Sequence, residues 1–214
     1  DTVNIMVSWG VMPAQITGNG WRRATAIDTT YLNNKYGIGY CKINQDIIVD
    51  GANTGTISTG KVDIRFFGQS GLTIAPGTKI LIKGGKYRNI NFTPNPGTAS
   101  GTAAEPIIIT NYDGQVEFQT FTLSNFKNTK ITGEYVSGVS GDPNFQGHKN
   151  PVTGVKDNYE FSRTKYGFYG NSAWSSLGSA GIRIAGTTTD SMEICFVEIA
   201  YGNFAGMMLK NDNT

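Results

Sequence analysis

The only histidine of the 214-residue chain, His148, stands in a stretch crowded with cations and aromatic rings. Lys149, Lys156, Arg163 and Lys165 alternate there with Tyr159, Phe161, Tyr166, Phe168, Tyr169 and Trp174. Aromatic rings offer flat apolar faces to the C–H side of a sugar. A guanidinium grips a carboxylate through two parallel hydrogen bonds. His148, Arg163, Lys165, Tyr166, Tyr169 and Trp174 are therefore candidate substrate-binding residues, and the chemistry fits an acidic glycan. The same residues would also serve as the small core of a long, self-packed loop.

Bulk composition narrows the setting. Charged residues make up 16% of the chain, against roughly 25% in ordinary soluble domains. Glycine is abundant, at 28 residues, and Ser, Thr and Asn are frequent. Such a chain solvates itself with hydroxyls and amides and turns often, which suits an all-β extracellular or cell-surface protein. A net charge of +2 and no basic run longer than Arg22-Arg23 give no phosphate-tracking stripe, so no nucleic-acid partner is expected. No stretch of about 18 apolar residues exists to span a membrane as a helix. Cys41 and Cys195 match no metal or redox spacing. Buried free thiols are the expected state, with one disulfide as the alternative.

The elements that must position these residues are short strands. DIIV (46–49), VDIRFF (62–67), KILIK (79–83), INF (90–92), PIIIT (106–110), VEF (116–118), FTL (121–123) and KITGEYV (130–136) alternate or run apolar between Gly, Asn, Asp and Pro. GIRIA (181–185), MEICFVEIA (192–200) and GMMLK (206–210) continue the series. Residues 22–36 are the best helical window, with Asp28 or Thr29 as its cap. Asp113-Gly114 reads as a two-residue hairpin turn.

Spacing argues for a repeat. Gly181-Ile-Arg-Ile and Gly206-Met-Met-Leu lie roughly 25 residues apart, a period typical of solenoids. Ile131 and Ile194 align in the same way, with a long insertion, about residues 139–178, between them. In this alignment Arg183 matches Met208. Arg183 and Lys210 then alternate with core positions and face outward, where they could line a glycan groove or simply be solvated.

Two stretches, APGTKILIKGGKYRNINF and GTAAEPIIITNYDGQVEF, resemble the opening turns of right-handed parallel β-helix proteins, including secreted polysaccharide lyases and bacterial surface proteins. The segment GIRIAGTTTDSMEICFVEIAYGNFAGMMLKND resembles their middle turns. The resemblance implies an all-β solenoid over residues 61–214, with residues 1–60 as an N-terminal cap built on Trp9, Trp21 and Tyr31. It implies further turns beyond residue 214, or a second chain or self-association covering an open C-terminal end. It also implies a secreted carbohydrate-interacting protein, the N-terminal part of a lyase-like enzyme acting on acidic glycans. A non-catalytic surface, adhesin or filament protein is the alternative, and a β-sandwich carbohydrate-binding module is a third. Calcium is the cation such lyases use, and the resemblance directs attention to Asp190 and Asp212 as its ligands. No acid–base motif diagnostic of a lyase stands in the sequence.

Overall fold

A computed structural model describes residues 21–50, 61–62, 72–133, 167–171, 180–200 and 205–209. The described chain is mostly β, with one helix and a mixed sheet. Its elements are β1 (Trp21–Arg23), α1 (Ala26–Tyr36), β2 (Ile47–Val49), β3 (Lys61–Val62), β4 (Lys79–Phe92), β5 (Ala99–Ser100) and β6 (Ile107–Ser124). They continue with β7 (Phe126–Thr132), β8 (Phe168–Asn171), β9 (Ala180–Ala185), β10 (Asp190–Cys195), β11 (Val197–Ala200) and β12 (Ala205–Leu209).

Every strand pair is parallel except β1 with β2. The pairing sorts the strands into tiers. β2 and β3 both pair with β4, at its two ends. β4 pairs along its length with β6. β6 in turn pairs with three successive strands, β7, β8 and β9. Those three pair with β10, β11 and β12 respectively.

Side chains two apart on a strand share a face, so register stacks like positions into columns. Ile47, Ile80, Ile109, Ile131 and Ile194 form one such column across five strands. Tyr87 pairs with Phe118, and Ile90 with Phe121 and then Ile182. Together they form the main core, in which Phe121 meets Phe92 and Phe118 edge-on at 5.5 and 5.6 Å. Such edge contacts add to simple area burial. The register pairs Ile131 with Ile194 and Arg183 with Met208, as the alignment of repeats expects.

Three local expectations are corrected. Asp113-Gly114 is not a hairpin turn, because β6 runs through it and keeps its direction. The two residues take positive φ, 52° and 120°, and accompany the register shift at Lys83/Gly85 that bends the ladder. Gly84 has no room there for a Cβ, which would lie 2.6 Å from the Asp113 carbonyl. Secondly, the helix begins at Ala26, with Thr25 as its cap; Asp28 completes the capping box as the residue three positions on. Arg22 and Arg23, placed in the helical window by sequence, belong to β1. Thirdly, β8 lies within residues 139–178, the stretch expected to be an inserted loop.

The N-terminal elements cover the sheet differently from the expected cap. Trp21 joins the main core, but Tyr31 is 48% exposed; Trp9 lies outside the described residues. Leu32 packs with Ala24, Cys41, Ile48, Leu81 and Tyr112 in a second apolar cluster, on the opposite face of β2, β4 and β6 from the main core. Both cysteines are free, Cys41 buried and Cys195 half-buried. Burial, with the charge of Asp46, pushes the Cys41 thiol up to about 11, so it stays protonated and inert at neutral pH.

A buried ion-pair network joins α1 to β1. Arg22 donates through both terminal nitrogens to Asp28 and reaches Asp50 at 3.1 Å. Burial works against the Asp28 charge, but the bonds from Arg22 and Thr25 outweigh it and hold the carboxyl below its usual range. The stability it contributes is therefore complete above the unfolded carboxyl pKa near 4 and is lost as pH falls through the lower folded value.

Two outcomes follow for stability. Ile109→Ala should lower unfolding free energy by about 2–5 kcal/mol in urea titration at neutral pH, because the column cannot collapse into the gap. Asp28→Asn should cost about 3 kcal/mol at pH 7 and flatten the acid limb of a pH–Tm profile, whereas wild type loses stability steeply below about pH 4.

Candidate functional site

The sides of the ladders that face away from the main core are where chemistry can reach solvent. On the third stretch of each tier, Ile90, Phe92, Phe121, Leu123, Ile182 and Ile184 point into the core. Alternation therefore turns Asn91, Thr122 and Arg183 to the other face. The register stacks those three on adjacent strands, followed by Met208. Arg183 is exposed and Thr122 half-buried. A neighbouring pair, Asn89 and Thr120, is joined by a 2.5 Å hydrogen bond from the threonine hydroxyl.

The middle stretch carries a second row. Val116, Phe118 and Phe168 face the core, which places Glu117, Tyr169 and Glu198 on the far face in register. Tyr169, a candidate glycan-stacking residue by sequence, is 1% exposed. A ring so enclosed presents no face to a sugar, and the sequence reading is corrected on that point. Its neighbours Glu117 and Glu198 are half-buried. Neither carboxylate stands out in the sequence, since they lie far apart in the chain and only the register aligns them.

Asp190, the described half of the expected calcium pair, is exposed and stands 3.9 Å from Lys127, its partner in register. Lys130 and Glu193 form a similar pair at 2.9 Å three residues further along the same two strands. A carboxylate already facing an ammonium is a poor start for a calcium site, which needs several oxygen donors. Among the described residues no group of three or more His, Cys, Asp or Glu side chains is close enough to hold a metal. His148, Arg163, Lys165, Tyr166, Trp174, Lys210 and Asp212 lie outside the described residues. Tyr169, Arg183 and Asp190 stand on three separate ladders, so the fold does not bring them to a single point.

One polar cluster escaped the sequence reading. At the bend of β6, Asp113 accepts hydrogen bonds from Tyr31 at 2.9 Å and from Lys35 at 2.6 Å, and its backbone N–H donates to the Tyr36 hydroxyl at 2.8 Å. Burial opposes the Lys35 charge, but its bonds to Asp113 and Tyr31 prevail and raise it above its ordinary value. Burial likewise raises Tyr36. Each group is satisfied by the others. The cluster holds α1 to the bend.

No family model matches the chain, nor does a curated protein or a solved structure.

The two described binding candidates separate in stability measurements. Arg183→Ala should leave unfolding free energy within about 0.5 kcal/mol of wild type, as exposed positions do. Tyr169→Ala should cost about 3–5 kcal/mol, the range for a buried aromatic.

Proposed function

We propose that the chain winds as a right-handed parallel β-helix and that it is an extracellular protein binding acidic polysaccharide along one side of that helix. Three features support the winding. Strands one tier apart pair in the same direction throughout, and β6 serves three later strands in turn. Left-handed backbone recurs at matching places: Asn125 and Gly186 each follow a register pair at the end of β6 and β9, with φ of 63° and 104°. Asn128 and Ser191, at 45° and 54°, follow the register pair Lys127 and Asp190. Parallel crossovers in one sheet are nearly always right-handed, which sets the hand.

The observation that carries the binding is the row Asn91–Thr122–Arg183. An amide, a hydroxyl and a solvent-facing guanidinium follow one another on adjacent strands, about 4.8 Å apart. The Asn91 amide oxygen is buried, so such a row can meet a glycan hydroxyl at Thr122 and end on a carboxylate held by the Arg183 guanidinium. Catalysis is not assigned. Lyase chemistry needs a base beside a cation that neutralises the uronate carboxylate, and the described residues hold no such pair in an open position. The non-catalytic surface or filament role draws support from the same geometry, since a stack of parallel tiers makes a rigid rod.

Affinity electrophoresis in gels cast with a uronate polymer or a neutral glucan tests the reading, with calcium and with chelator. The expected result is retardation by the uronate polymer alone, with Arg183→Ala weakening it about 5- to 10-fold, one hydrogen-bonded charge in solvent. Equal mobility in all gels would overturn it. Growth of ultraviolet absorbance from unsaturated sugars in the same mixtures would assign the lyase activity as well.

A further inference from the structure

From β4 onward formal charge alternates from tier to tier along the ladders, although β3, paired with β4, carries only Lys61. β4 carries Lys79, Lys83, Lys86 and Arg88 and no acid. β6 carries Asp113 and Glu117 and no base. β7, β8 and β9 together carry Lys127, Lys130 and Arg183 and no acid. β10, β11 and β12 carry Asp190, Glu193 and Glu198 and no base. Between β7 and β10 the register places opposite charges side by side, Lys127 with Asp190 at 3.9 Å and Lys130 with Glu193 at 2.9 Å. Opposite charges directly across a ladder favour that pairing, and like charges oppose it.

The last of these tiers is also the least covered. Ile131, Phe168 and Ile182 are fully buried. Their register partners Ile194 and Val197 are only half-buried, and Met207 is 43% exposed. Leu209, paired with the buried Ile184, is 73% exposed. Among the described residues β10 pairs only with β7, β11 only with β8 and β12 only with β9. An apolar end with open backbone groups is a template for a further strand.

We propose that this end docks a further parallel β-tier carried on a basic polypeptide, with an apolar residue over Ile194 and lysine or arginine over Asp190 and Glu193. Charge complementarity selects this occupant. A second copy meeting end to end would set Asp190, Glu193 and Glu198 against themselves, and at the opposite end the antiparallel β1 lies along β2. Docking at this end requires no glycan.

The probe is a labelled peptide of sequence FKNTKITG, which copies residues 126–133 and so repeats the tier that already fits β10 in register. Fluorescence anisotropy with the whole 214-residue chain should show saturable binding that weakens at least tenfold between 50 mM and 500 mM salt. The peptide FENTEITG should not bind. Glu193→Lys should lose the basic peptide about tenfold and gain the acidic one, while the neutral Glu193→Gln, which avoids a clash with Lys130, should lose only the first. Failure of wild type to bind FKNTKITG, or binding of both peptides alike, would overturn the proposal. So would a concentration-dependent dimer in light scattering, since a second copy would then occupy the end. Glycan retardation unchanged beside failed peptide binding would sink this inference alone.

Discussion

The inward columns of the parallel ladders are what the rest of the structure depends on. Ile47, Ile80, Ile109, Ile131 and Ile194 stack through the backbone register, and aromatic columns run beside them. Each buried isoleucine contributes about 1.5–3 kcal/mol relative to exposure. A slip of one residue in any strand would turn its apolar set outward. Register is therefore held at every level of the stack at once, and the far-face rows inherit that precision. Arg183 lies beside Thr122 because Ile182 must lie beside Phe121.

The bends are where this constraint meets the backbone. A strand as long as β6 serves three partners only by turning between them, and the turns use residues that tolerate positive φ. Asparagine does so with a side chain to spare. Asn125 donates to the Pro94 carbonyl and Asn128 to the Gly101 carbonyl, each at 3.0 Å, tying one tier's bend to that of the tier before. Asn111 does the same within one bend, reaching the Gly114 carbonyl at 2.9 Å. Gly167 packs so close to the Asn111 amide that a side chain there would force the amide to move. These amides satisfy carbonyls that a bend takes out of the ladder, where burial would otherwise be costly.

Against that frame, α1 is an attachment with its own small core. Its apolar contacts are few, and its position is defined by polar ties: Arg22 to Asp28 and Asp50 at one end, and Asp113 to Tyr31, Lys35 and Tyr36 at the other. A helix with so little apolar stripe needs such ties, because propensity alone does not hold 11 residues helical. Asparagine is a common turn residue in this sequence, and the corner bonds are made by Asn111, Asn125 and Asn128. The residue type was legible and the positions were not, since a corner is defined by which strand lies beneath it.

What the sequence by itself determined is the β character, most of the strand segments, and two register pairs, Ile131 with Ile194 and Arg183 with Met208. Those are local: alternation and a repeat of matching length leave a mark in neighbouring letters. Only the tertiary structure decided that Asp113-Gly114 bends a strand instead of reversing it, that β8 interrupts the expected insertion, and that Tyr169 is enclosed. It also decided that Glu117 and Glu198 flank that tyrosine. Each of these depends on what a neighbouring tier places alongside, and residues brought together by stacking carry no signature of one another along the chain.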